Sequence, residues 1–219
     1  MVGVVKEEAY EKGKQRVSRP LVCGIDEAGR GPIAGPVTAA AVILPPDFPV
    51  EILDDSKILA PVQREEAAGI IRSRSTCWAL GWATHEEIDA VNILQAALLA
   101  MTRAVEALSI RPDRILVDGL YCPLCGIPAT AIVKGDATVP QIMAASILAK
   151  TARDAWMDDY AKKEPAYLFE KHKGYPTAEH RRLVLKLGPS AIQRRTFRVT
   201  DPSSSPILPG LLPFDVRDG

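Results

Sequence analysis

The chain has 219 residues, 47% of them apolar, with 27 Lys and Arg against 27 Asp and Glu. That length and apolar content are enough for one generous domain with its own core, which excludes a long disordered protein and one that needs disulfide or metal staples. Zero net charge excludes a uniformly basic nucleic-acid coat. It leaves either a protein indifferent to polyanions or one whose opposite charges are sorted into separate regions.

Residues 1–19 are charged throughout and read as an N-terminal extension without the apolar stretch of a secretory signal. With four cysteines and no such signal, the expected setting is the reducing cytoplasm. Residues 21–26 and 36–44 are apolar runs separated by Gly29-Arg-Gly-Pro-Ile-Ala-Gly35, the pattern of two buried strands joined by a turn. Residues 61–73 open on a proline as a helix does, and residues 76–83 alternate as a strand does. Leu94, Leu98, Met101, Val105 and Leu108 recur at steps of four and three and predict an amphipathic helix with that face buried. No apolar run approaches the roughly 20 residues needed to cross a bilayer, so no membrane association is expected.

Residues 114–117 and 129–133 are short apolar runs that lead into Asp118 and into Lys134-Gly-Asp136, which puts both acids at strand ends. Between them Cys122-Pro-Leu-Cys125 is a lone C-x-x-C with no second pair and no histidine at finger spacing, so it reads as a loop with two free thiols. Thr138 is a candidate cap for a long helix with Pro140 in its first turn and Ile142, Ala145, Ala149, Ala152, Trp156 and Tyr160 as its inner stripe. A last helix spans about 177–187, and the proline-rich tail, 201–219, is expected to be loosely ordered. Strands first, then strands and helices mixed, predict an α/β fold: a central sheet covered by helices, forming one domain over residues 20–200.

Charge is sorted along this chain. Residues 171–199 hold eight basic side chains, Lys171, Lys173, Arg181, Arg182, Lys186, Arg194, Arg195 and Arg198, against the single acid Glu179. That net of +7 leaves 19 basic and 26 acidic residues, a net of −7, for the rest. The expected consequence is a basic face that binds phosphate in a salt-sensitive way.

Asp26-Glu27, Asp118 and Asp136 all fall at the C-terminal ends of apolar segments, and in an open α/β sheet such ends line one crevice. Carboxylates gathered there repel one another unless a cation sits among them. Hard oxygen ligands without His or Cys select Mg²⁺ or Mn²⁺, and a pair of such ions suits phosphoryl transfer. Neighbouring strand residues face opposite sides, so Asp26 is expected as the inner ligand and Glu27 as the peripheral one. Either the strand bends at Gly29 or one of the two serves through its carbonyl. Lys57, after a loop, is either a phosphate contact or a solvated lysine. Asp154 stands four residues after Lys150 and suits an ion pair along the helix, while Ser146 and Lys150 share the helix end that would support the site.

Six blocks in order resemble type 2 ribonuclease H: Gly24-Ile-Asp-Glu-Ala-Gly-Arg-Gly-Pro32, Asp54-Asp-Ser-Lys57, Val117-Asp-Gly119, Lys134-Gly-Asp136, Ala144-Ala-Ser-Ile-Leu-Ala-Lys150 with Arg153-Asp154, and Gly174-Tyr-Pro-Thr177 with His180. The resemblance runs from about residue 20 to 198. It implies the ribonuclease H-like fold, a mixed sheet flanked by helices with additional C-terminal helices. The activity it implies is an endoribonuclease that hydrolyses the RNA strand of RNA:DNA hybrids and nicks duplex DNA 5′ of an embedded ribonucleotide, leaving 3′-hydroxyl and 5′-phosphate ends. It further implies two bound Mg²⁺ or Mn²⁺ ions on Asp26, Glu27, Asp118 and Asp136. Gly29, Arg30 and Gly31 would sense the ribose 2′-hydroxyl through backbone groups, and Tyr175 would pack at the RNA-to-DNA junction. Ile58 stands where the family usually has a second lysine, and Gln193 where a histidine is common.

A monomer is expected. The tail segment Gly210-Leu-Leu-Pro-Phe214 is apolar enough for a docking peptide but lacks the glutamine and paired aromatics of a replication-clamp motif. Competing readings are a DNA-only nuclease of the same fold, type 3 ribonuclease H, which normally carries an N-terminal domain that 19 residues cannot supply, and a hybrid-binding module without catalysis.

Overall fold

A computed structural model describes residues 19–53 and 59–200. Strands β1 (Val22–Ala28), β2 (Val37–Ile43), β3 (Cys77–Ala83), β4 (Arg114–Asp118) and β5 (Ala129–Ile132) form one sheet in the order β3-β2-β1-β4-β5. β1, β2 and β3 pair antiparallel, as short connections allow. β4 adds to β1 and β5 to β4 in parallel, so the sheet is mixed and its middle strand is β1.

Helices follow the chain as α1 (Pro61–Arg74), α2 (His85–Val91), α3 (Ile93–Glu106), α4 (Pro140–Ala161), α5 (Phe169–His172) and α6 (Ala178–Leu187). Alternate residues of the inner strands feed two cores. Cys23, Ile25, Ala39 and Ala41 meet α3 on one face, while Ala40 and Val42 meet α4 and α1 on the other. Each fully buried isoleucine, such as Ile25, Ile115 and Ile142, contributes about 2 kcal/mol. A third core of Ala34, Met157, Tyr167, Phe169, Val184 and Ile192 joins α5 and α6 to the far end of α4. Among the described residues no helix is long and apolar enough to cross a membrane.

Both helix layers approach the sheet closely, and glycines mark where. A Cβ at Gly24 would lie 2.1 Å from the backbone carbon of Gln141 in α4, and one at Gly81 would lie 2.0 Å from the carbonyl oxygen of Ala100 in α3. Close approach also corrects two predicted stripes. In α3 the deepest residues are Ala96, Ala97, Ala100 and Ala104 with Met101 and Val105, while Leu94 and Leu98, and Leu108 just past the helix end, are only partly buried. Small side chains face the sheet because the backbone rides directly over Gly81, and the leucines spread to the flanks. In α4 the buried set is Ile142, Ala144–Ala149, Thr151, Arg153, Met157 and Ala161, nearly all round its first half. Ala152, Trp156 and Tyr160 are partly exposed.

Thr138 does not cap α4. The cap position is Val139 without a side-chain bond, and the Thr138 hydroxyl donates instead to the Lys134 carbonyl at 3.3 Å. Helix α2 was not predicted, although Thr84-His-Glu-Glu87 carries the local signal: the Glu87 N–H donates to Thr84 Oγ1 at 3.3 Å and the Thr84 N–H donates to Glu87 Oε2 at 2.9 Å. Cys122 and Cys125 are free thiols, partly buried against the α3-side core. The expectations for the tail, for residues 1–18 and for Lys57 and Ile58 fall outside the described residues.

Candidate active site

The parallel register sets Ile25 beside Val117, and one step further along each strand come Asp26 and Asp118. Ile25 and Val117 point into the α3-side core, so alternation turns both acids to the α4 side. β5 ends at Ile132, Lys134 takes a left-handed conformation with φ 57°, and a tight turn over Gly135–Ala137 swings Asp136 back toward β4. The Asp136 N–H donates to Asp118 Oδ1 at 3.3 Å. Carboxylate oxygens of Asp26, Asp118 and Asp136 thereby lie within 4.8 Å of one another.

Asp26 is 5% exposed. Burial, and after it the neighbouring Glu27 charge, hold its carboxyl well above the usual range, while a hydrogen bond from Ser146 and the Glu27 N–H at 2.7 Å work the other way. Burial also raises Glu27, against the opposing pull of Arg30, whose Nη1 is 3.2 Å from Glu27 Oε1. Carboxyls raised by burial and mutual repulsion carry negative charge at a cost that a cation would offset. The donors are all carboxylate oxygens, so the set fits a hard divalent ion such as Mg²⁺ or Mn²⁺.

β1 stays paired with β2 through Ala28, and the turn comes only at Gly29, with φ 104°. Glu27 is not among the three clustered acids, yet it lines the same cleft and its charge acts on Asp26. That cleft, about 240 Å³, has Asp26, Glu27 and Asp118 on one wall and Gly29, Arg30 and Gly31 on the next. Ser146, Lys150 and Tyr175 complete it. The Tyr175 ring, 39% exposed, sits where a Cβ on Gly31 would touch its Cε1 at 3.5 Å, with Lys150 Nζ 5.6 Å from the ring centre. Its backbone is fixed from below: the N–H donates to the His172 carbonyl at 2.8 Å, and its own carbonyl accepts from the Thr177 N–H at 2.8 Å and from His180 Nδ1 at 2.9 Å.

Asp154 lies one turn along α4, outside this cleft. It accepts from Lys150 Nζ at 2.8 Å and stands 3.6 Å from Arg64, the helix ion pair expected. The predicted basic face is thinner than its sequence count. Arg194 is fully buried, Lys173 pairs with Asp158, and Lys171 lies 4.0 Å from Glu179. Gln193 is buried too, its Nε2 donating to the Ile33 carbonyl at 2.8 Å. Sequence reasoning gave no role to Arg153 and took Arg194 for surface charge, and no local pattern sets a buried arginine apart from a solvated one.

A family model described as Ribonuclease HII matches residues 23–200. The chain is similar to the Ribonuclease HII of Moorella thermoacetica, 50% identical over 190 residues, covering 87% of this chain and 92% of that one. It is similar also to the Ribonuclease HII of Laribacter hongkongensis, 57% identical over 178 residues, covering 80% and 90%. Among solved structures, the ribonuclease H2 of Pyrococcus horikoshii OT3 superposes with a TM-score of 0.65 at 27% identity, covering 81% of this chain and 94% of that one.

Proposed function

The chain belongs to the ribonuclease HII family, and on that premise we propose that it nicks duplex DNA 5′ of an embedded ribonucleotide, with Asp26, Glu27, Asp118 and Asp136 holding two divalent ions. It is a metal-dependent endoribonuclease acting on RNA:DNA hybrids. The observation that carries the finer reading is one cleft that sets Asp26 and Asp118, two of three carboxylates within 4.8 Å of one another, against Gly29, Arg30 and Gly31.

Bound Mg²⁺ or Mn²⁺ would lower the pKa of the attacking water and stabilise the oxygen that leaves phosphorus. The chain's own groups do the placing. Ser146 and the Glu27 N–H hold the Asp26 carboxylate, and the Asp136 N–H holds that of Asp118, so each acid is oriented before substrate arrives. Arg30 pairs with Glu27 at 3.2 Å. Glycines on either side of Arg30 let a sugar approach the backbone, where the 2′-hydroxyl distinguishes RNA from DNA. Tyr175 offers its ring to the sugar beyond, and Lys150 adds positive charge beside it.

The test uses the full chain, an RNA:DNA hybrid and Mg²⁺ or Mn²⁺. Asp118→Asn, checked for folding by circular dichroism, is expected to lower turnover at least ~1,000-fold, or ~4 kcal/mol of transition-state stabilisation. A folded Asp118→Asn variant that turns over within a few-fold of wild type contradicts the assignment.

A further inference from the structure

We propose that Arg194 is a positioning residue for ribose recognition, holding the loop of residues 29–36 from beneath so that the N–H groups of Arg30 and Gly31 face the cleft. The proposal rests on the reading of that cleft given above.

Arg194 is fully buried, and five hydrogen bonds match its five N–H donors. Nε donates to the Gly35 carbonyl at 2.9 Å. Nη1 donates to Pro32 at 2.7 Å and Arg30 at 3.3 Å, and Nη2 to Gly29 at 2.7 Å and Pro36 at 3.2 Å. Arg153, also fully buried, lies beside it and donates from Nε to Pro36 at 3.0 Å, from Nη2 to Ala34 at 3.3 Å and from Nη1 to Lys173 at 3.0 Å. All these acceptors are neutral carbonyls. Burying a guanidinium without a carboxylate costs several kcal/mol, and each of these two is pushed down by burial, Arg194 to about 9 and Arg153 to about 10. Both remain charged near neutrality, so the fold keeps two like charges together under one eight-residue loop. Part of the reason is stability, since apolar side chains of similar volume would leave the loop carbonyls buried and unpaired, but that does not say why these carbonyls point inward.

Geometry supplies a reason. In a trans peptide the N–H of one residue points opposite to the carbonyl of the residue before it, and no described peptide is cis. Turning the Gly29 and Arg30 carbonyls down onto Arg194 therefore turns the Arg30 and Gly31 N–H groups up, on the side where residues 29–31 line the cleft. Two successive donors then meet an oxygen-bearing group, which a ribose presents at its 2′ position and a deoxyribose does not. Of the other loop residues, Ile33 donates to Gly174 and Gly35 to Ile192, each at 2.9 Å, and Pro32 and Pro36 have no N–H to offer. Arg194 is itself anchored. Its N–H donates to the Ile33 carbonyl at 2.9 Å, the Phe197 ring centre lies 5.2 Å from its guanidinium carbon, and Asp89 accepts from the N–H groups of Arg195 at 2.9 Å and Thr196 at 3.0 Å.

The experiment compares wild type, Arg194→Lys and Arg194→Met in the full chain, on an RNA:DNA hybrid and on a DNA duplex with one ribonucleotide. Thermal melting and Mn²⁺ binding by calorimetry are read alongside kcat and KM. Lysine keeps a charge but has three donors at a single nitrogen, so it cannot hold carbonyls spread over the loop. The expected result is a folded protein that binds Mn²⁺ within about two-fold of wild type but loses about 100-fold in kcat, as misplacement by an ångström does. The loss is expected to be larger on the single-ribonucleotide duplex, with Arg194→Lys no better than halfway back on a logarithmic scale. Variants that melt earlier yet keep wild-type kcat on both substrates overturn the proposal, and so does failure of both to fold, because Arg194 then serves stability and not position. Wild type that cuts neither substrate overturns the functional reading instead.

Discussion

Asp26 and Asp118 stand side by side because the strands that carry them pair in parallel with Ile25 opposite Val117. Gly29 to Gly31, three residues further along the same chain, are held instead by a guanidinium 165 positions downstream. The acid wall is thus built from strand ends and one tight turn, all near the sheet. The loop wall is built by the C-terminal segment reaching back over α4. Chemistry that depends on strand ends follows from register, whereas chemistry that depends on loop carbonyls follows from whatever distant side chain can satisfy them.

Losing Asp118 is expected to remove the reaction and losing Arg194 to leave it misplaced, and two smaller effects separate the walls further. Gly24→Ala strikes the acid wall alone: its Cβ would meet the Gln141 backbone at 2.1 Å, which cannot give way as a flexible side chain could. A destabilisation of about 3 kcal/mol is expected, a fall of roughly 10 °C in Tm by calorimetry, as α4 and Ser146 are forced off β1. An unchanged Tm would show that α4 is not seated where the geometry puts it.

The loop wall has its own weak point in the histidines beneath Tyr175. His172 and His180 stack with ring centres 4.1 Å apart. Burial, opposed by the hydrogen bond to the Tyr175 carbonyl, holds His180 down to about 4. Its ordinary value is 6.5, so between about pH 6.5 and 4 the unfolded chain binds more protons at this residue than the folded one. The stability associated with a neutral His180 is fully present above pH 6.5, is lost as pH falls toward 4, and does not change further below that. Urea midpoints at pH 7 and pH 4.5 are expected to drop more for wild type than for His180→Phe. Equal drops would mean that His180 is protonated in place without strain.

How much of this was legible in the sequence follows the same division. Asp118 and Asp136 could be placed because each follows a short apolar run, β1 and β2 because they are apolar runs around a Gly-rich turn, and β3 because its residues alternate. Leu94 and Leu98 misled because hydrophobicity was taken as a measure of depth, whereas the close crossing at Gly81 admits only the alanines of α3. Thr138 misled because a hydroxyl near a helix start can bond backward as well as forward. Arg194 looked like one more charge in a basic run, and nothing within ten residues of it says that its partners are carbonyls more than 150 positions away.

If the acids cut and the loop selects the ribose, the site of cleavage on a duplex containing one ribonucleotide reports on both at once. The full wild-type chain with Mg²⁺ is expected to make a single nick on the 5′ side of that ribonucleotide, leaving a 3′-hydroxyl and a 5′-phosphate, and to leave the matching all-DNA duplex whole. Cutting of the all-DNA duplex at a comparable rate, or an intact ribonucleotide strand under conditions where the RNA:DNA hybrid is cleaved, would contradict it.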